Sequence, residues 1–212
     1  MELLVGATLS AAIMAAVLSS YIYLARNLGR LTIQQNLEVE SRRALTYFTQ
    51  DVQTSSGLAT SITPANYKLA LNVPTAAGSN VVIYYYNSTA ITSSTDSDTV
   101  VIYGTNVAMK RQALTRCVYN NSTVSTQTLV RNITDNNAST TSDLYFRFYD
   151  AAGNPYDNGS VPYTTGSTYF SGVKQLTMQF SVQAGNAAAG TRTVVSQVAS
   201  GRLVMRNRPL LQ

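Results

Sequence analysis

The chain contains no histidine, no tryptophan and one cysteine, Cys117. A single cysteine excludes an internal disulfide, and without a C-x-x-C pair there is no thiolate metal site. The lack of histidine removes the commonest general base and the commonest transition-metal ligand. In "LTRCVYN" no base stands beside Cys117, so a nucleophile–base pair has few candidates. A carboxylate pair of the glycosidase kind would have to come from only 10 acids. Of these, Asp96, Asp98, Asp150 and Asp157 fall in loop-like segments. The chain therefore reads as a non-enzyme, and Cys117 as a small buried apolar residue.

Charge is also scarce. Only 12% of the residues are charged, against roughly 25% in ordinary soluble domains. Ser, Thr, Asn and Gln take their place after Thr54, a surface composition common on exported proteins. The formal net charge is +5, and acids are absent from Gly172 to Gln212 while Lys174, Arg192, Arg202, Arg206 and Arg208 are present. Such a tail attracts nucleic acid or anionic lipid. Its charges are nevertheless spaced, as on the solvated ends of strands.

Proline is missing until Pro64, and formal charge is missing from Leu3 to Leu24, a run of 22 residues. As a helix the run is about 33 Å long, close to the roughly 30 Å of a bilayer core. A cleaved secretory signal would need a basic start and a shorter apolar core, and no basic residue precedes Arg26. A retained membrane helix is the better reading. Arg26 and Arg30 follow the span and would hold the C-terminal part in the cytoplasm, whereas its composition favours the outside. A basic leader before Met1 would resolve that conflict.

Helical pattern continues past the span. Leu45, Phe48 and Val52 form an apolar stripe, and Glu38 precedes Arg42 by four residues, the favourable order for a helical ion pair. Ser55-Ser56-Gly57 supplies a stop. One helix from about Glu2 to Thr54 is expected, roughly 80 Å long, with Gly29 marking a bend or a locally melted turn. After Gly57 the period becomes two. "NVVIYYY", "DTVVIYG", "DLYFRFYD", "LTMQFSVQ" and "GRLVMRN" read as strands with no helical pattern between them. The expected fold class is α+β: a long N-terminal helix, membrane-spanning in its first half and amphipathic in its second, packed on a C-terminal antiparallel β-sheet head. A single sheet should cover the stripe Leu45, Phe48, Val52. The expected divisions are 1–25, 26–56 and 57–212.

The segment "MELLVGATLSAAIMAAVLSSYIYLARN" resembles the start of type IV pilin-like proteins, Gly-Phe-Thr-Leu-x-Glu-Leu-Leu-Val, with Met1 at x and Glu2 at the family's glutamate. On that match the mature N-terminus would lie three residues upstream, with a basic leader beyond it. "SRRALTYFTQDVQTSSG", "LYFRFYDAAGNPYDNG", "VKQLTMQFSVQ" and "GRLVMRNRP" are similar, in order and wording, to minor pilins and J-type minor pseudopilins of type II secretion. The resemblance implies a non-catalytic subunit without cofactors, stored in the inner membrane with its head in the periplasm. From there it joins, or primes the tip of, a type IV pilus or a secretion pseudopilus. Its partners would be other pilins or pseudopilins and the inner-membrane assembly platform.

A carboxylate at the centre of a membrane helix costs about 2.5–3.5 kcal/mol or more, and less near its end. The family's partner for this glutamate is the freed, methylated N-terminal amine of its own or a neighbouring subunit, which would make Glu2 a register key. The small residues Gly6, Ala7, Ala11, Ala12, Ala15 and Ala16 would let helices approach closely.

An alternative reading is a membrane-tethered adhesion or DNA-binding subunit, using the polar loops or Lys110, Arg111 and Arg116. Calcium would find oxygens at Asp96 and Asp98, or at Asp150, Asn154, Asp157 and Asn158, but such stretches are more often plain turns. Asn-x-Ser/Thr sequons at Asn87, Asn120, Asn121, Asn132, Asn137 and Asn158 barely exceed what the composition gives by chance.

Overall fold

A computed structural model describes residues 2–59, 67–76, 78–87, 96–120, 123–133, 144–155, 172–184 and 194–206. Helix α1 (Glu2–Thr54) takes up the first quarter of the chain. It stays helical through Gly29, so the melted turn expected there does not form. A single glycine inside a helix costs only about 1 kcal/mol, less than breaking a helix that continues on both sides. The expected Glu38–Arg42 ion pair is present at 2.5 Å. At the C-terminal end the Ser55 hydroxyl donates to the Val52 carbonyl at 2.8 Å, and the Ser56 amide turns away to the Asn72 carbonyl at 2.8 Å. The stop therefore hands the chain directly to the sheet.

The strands are β1 (Gly57–Leu58), β2 (Tyr67–Thr75), β3 (Gly78–Tyr86), β4 (Ser97–Ile102), β5 (Thr105–Lys110), β6 (Leu114–Asn120), β7 (Thr123–Val130), β8 (Leu144–Tyr149), β9 (Gln175–Ala184), β10 (Val194–Ala199) and β11 (Leu203–Val204). Their pairings are antiparallel. The α+β class is as expected, but the single sheet is not. One sheet runs β1-β2-β3-β6-β7, a second places β8 on one side of β9 with β10 and β11 on the other, and β4 and β5 pair with each other.

The reason lies in β3. Its last five residues, Val82 to Tyr86, are all buried, so both faces of this strand are covered. Val82, Tyr84 and Tyr86 join a main core with Leu37, Ala44, Phe48 and Val52 of α1 and with Phe146, Leu176, Met178 and Phe180 of the second sheet. Ile83 and Tyr85 point the other way, into a smaller core with Ala70, Cys117, Val100, Ile102 and Met109. A strand buried on both sides reads as a continuous apolar run rather than an alternating one. The β4–β5 hairpin is the lid of that second core.

Candidate assembly surface and its anchor

The two halves of α1 occupy different surroundings. From Leu4 to Arg26 every side chain is exposed, including Leu4 (73%), Leu9, Ile13, Met14 (76%), Val17 and Leu18. The helix is long and apolar enough to cross a membrane. Leaving large apolar side chains in water costs roughly 1.5–3 kcal/mol each, so this surface calls for lipid or other helices. Gly6, Ala7, Ala11 and Ala15 lie on it, exposed, and a Cβ added at Gly6 would meet nothing within 4 Å. Glu2 opens the helix, and its side chain lies outside the described residues. Beyond the span Leu28, Leu31 and Val39 remain exposed, while Leu37, Ala44, Phe48 and Val52 are buried. At 100° per residue these are opposite sides of the helix: the head takes one and leaves the other bare.

The head holds α1 through a face that differs from the expected stripe. Phe48 and Val52 are fully buried, whereas Leu45 is only half-buried at the rim. Ala44 and Leu37 complete the buried face, because the 3.6-residue period carries Phe48 back to Ala44 and then Leu37. Phe48 meets the Tyr84 ring edge-on, 5.8 Å between centroids at 88°, and lies 5.7 Å from Phe146. Tyr84 and Phe146 are 6.0 Å apart. This triangle ties α1 to β3 of one sheet and β8 of the other.

Asp51 sits on the same face, three residues after Phe48, with a side chain only 6% exposed. A carboxylate in the last turn of a helix faces the negative end of the helix dipole, so its surroundings must compensate. Arg116 of β6 does so bidentately: Nε donates to Oδ2 at 2.6 Å and Nη2 to Oδ1 at 2.7 Å. The Tyr84 hydroxyl donates to Oδ2 at 2.6 Å. Arg116 also lies over the Tyr47 ring, 5.2 Å from its centroid. The hydrogen bond to Asp51 holds the guanidinium pKa above its ordinary value, against the opposing effect of burial. Burial, followed by the charge of Asp51, pushes the Tyr84 phenol well above its ordinary value. Hydrogen bonds from Gln127 and then Arg43 lower that of Tyr47. Asp51, Tyr84 and Tyr47 were not singled out in the sequence. A carboxylate in register with Ala44 and Phe48 was the available signal, since such a group needs a partner.

Arg116 is therefore committed to the helix–sheet junction. Lys110 pairs with Asp96, and Arg111 pairs with Asp98, Nη2 to Oδ1 at 2.5 Å. Those contacts hold Asp96 and Asp98 below the usual carboxylate range. Asp150 is bonded to Asn154, through its amide at 2.8 Å and its side chain at 2.9 Å, as in a turn. Among the described residues no group of three His, Cys, Asp or Glu could hold a metal ion. Asp157 and Asn158 lie outside the described residues. Cys117 is fully buried, its Sγ 3.9 Å from the Met109 Sδ, and burial pushes its thiol up to about 12. A shallow groove on the outer side of α1, lined by Leu45, Thr46, Thr49, Gln50, Gln53 and Thr54, carries no titratable side chain.

Compared with known proteins, the chain matches no protein-family model and no curated protein.

Proposed function

We propose that this chain is a non-catalytic minor pilin or pseudopilin subunit. It waits in the inner membrane with its head in the periplasm. It then assembles through α1 into a type IV pilus or secretion pseudopilus, or primes the tip of one. The observation that carries this reading is the division of α1. One stretch is apolar and exposed all round, and it runs without a break into a stretch clamped by the head. An anchor needs only the first stretch. A filament subunit also needs a rigid continuation and an apolar side facing away from its own head, and Leu28, Leu31 and Val39 provide that side. The resemblance of the segment from Met1 to Asn27 to pilin-like starts points the same way.

The direct test is Glu2→Ala in the complete precursor, followed by membrane fractionation and recovery of sheared filaments. Insertion should be unchanged and incorporation lost. Incorporation at the wild-type level would overturn the assembly role of Glu2. The alternative of a nucleic-acid-binding head gains no support from Lys110, Arg111 and Arg116, because each is already paired with a carboxylate.

A further inference from the structure

The β4–β5 hairpin is attached to the head unlike any other pair of strands. Among the described residues β4 and β5 form a ladder only with each other, although they lie across the outer face of the five-stranded sheet. Val100, Ile102 and Met109 cover Ala70, Ile83, Tyr85 and Cys117 there. Strands sharing a ladder separate only by breaking backbone hydrogen bonds, whereas a hairpin resting on a sheet is held mainly by side-chain packing. Segments of the second kind open at lower free energy than the core.

Several of the hairpin's polar links are internal. Lys110 pairs with Asp96, Arg111 with Asp98, and the Arg111 amide donates to the Asp96 carbonyl at 2.8 Å. Tyr103 and Gly104 close the turn with φ of 47° and 80°, the left-handed pair that a two-residue turn of this twist requires. All of these would survive if the hairpin moved as a unit. Among the described residues, ties to the sheet are found at both of its ends. At the root the Gln112 amide donates to the Asn87 carbonyl at 2.8 Å, and the Asn87 side chain bonds Asp98. Gln112 itself has φ 49°, a local reversal between β5 and β6. At the tip Tyr103 stacks on Tyr119 of β6, 4.0 Å between centroids and 16° from parallel.

We propose that the β4–β5 hairpin is a flap that swings about its root at Asn87 and Gln112 while both larger sheets remain folded, baring the apolar sheet face that includes Cys117. Tyr103 on Tyr119 is the clasp at the moving end. While the flap is closed the Cys117 thiol is buried and stays protonated at neutral pH. Opening returns it to water, and because it is the only cysteine its labelling reports exposure at this one site.

The experiment uses the full chain in detergent micelles near neutral pH, with an aromatic disulfide reagent as probe. Cys117 labelling is followed at low denaturant concentrations. Amide exchange of β9, in the other large sheet, serves as the measure of global unfolding. The opening that labels Cys117 should occur at least about tenfold more often than the opening that exchanges β9, and should depend only weakly on denaturant. Tyr103→Ala should accelerate labelling about three- to tenfold, and β9 exchange by no more than that factor, because the clasp is lost in both openings. Labelling that follows the frequency and denaturant dependence of β9 exchange would overturn the flap. So would a Tyr103→Ala variant that labels at the wild-type rate.

Discussion

Residues 4–31 and 33–54 belong to one helix, yet they present different surfaces. The first stretch exposes Leu9, Ile13, Leu18 and Leu24 in every direction, whereas the second buries Leu37, Ala44, Phe48 and Val52 and exposes Arg42, Thr46 and Gln50. A helix surrounded by one kind of environment needs no polar side. A helix lying on a sheet at the edge of water does, and its apolar residues then recur every three to four positions. Periodicity thus records the symmetry of the surroundings rather than the tendency to be helical, which both stretches share.

Substitutions of similar size in the two stretches should have very different effects. Phe48→Ala removes one corner of the aromatic triangle and should destabilise the head by about 3–5 kcal/mol in chemical unfolding of the micellar full chain. Ile13→Ala should change the same measurement by less than about 0.5 kcal/mol. Equal effects would mean that the exposed stretch also packs on the head. Next in size is Asp51→Leu, which leaves Arg116 part-buried without its partner and should cost about 3 kcal/mol. The double variant Asp51→Leu, Arg116→Met should recover most of that loss, since an apolar pair can replace an ion pair of this kind. No recovery would show that the aspartate holds more than the arginine and Tyr84.

A smaller loss than either of these destabilisations belongs to the head alone. Cys117 has a folded pKa of about 12 against an ordinary 9.0, and that of Tyr84 is raised above 10.0. A raised folded pKa contributes stability that is complete below the unfolded value and is lost as pH climbs through the folded one. Stability should therefore fall from about pH 9 upward, by roughly 1 kcal/mol between pH 9 and pH 10 from the thiol alone. Cys117→Ala should remove that first part of the slope, whereas Ile13→Ala should leave it intact. A wild-type curve flat from pH 9 to pH 11 would contradict the burial assigned to Cys117 and Tyr84.

The helix and the fold class were legible because they rest on long-range composition: no proline before Pro64, an uncharged run, then a change of period. Strands β3, β4, β8, β9 and β11 were legible from alternation or apolar runs. By contrast β7 reads "TVSTQTLV" and carries no clean apolar face, while in β2 Pro74 interrupts a segment whose Leu69, Leu71 and Val73 do alternate. The separation into three sheets was hidden for a related reason. "VIYYY" in β3 is apolar at every position, which signals two covered faces, but periodicity alone does not show what covers the second. Cys117 was placed correctly because a lone thiol without a base behaves as a small apolar group. Arg116, which the alternative reading offers as a nucleic-acid contact, is paired with Asp51 instead. Its partner, Asp51, lies 65 residues earlier, and sequence spacing holds no trace of such a pairing.

The unbroken passage of α1 through Gly29 has a consequence for orientation. Each residue of a helix contributes 100° of rotation and 1.5 Å of rise. With no joint in between, the direction in which the head points is phase-locked to the side of the helix that meets its surroundings at Gly6 and Ala7. One residue inserted between Arg30 and Leu37 would leave both ends chemically intact while turning the head by about 100° relative to the exposed apolar half, as a key cut correctly at both ends fails if its shaft is twisted.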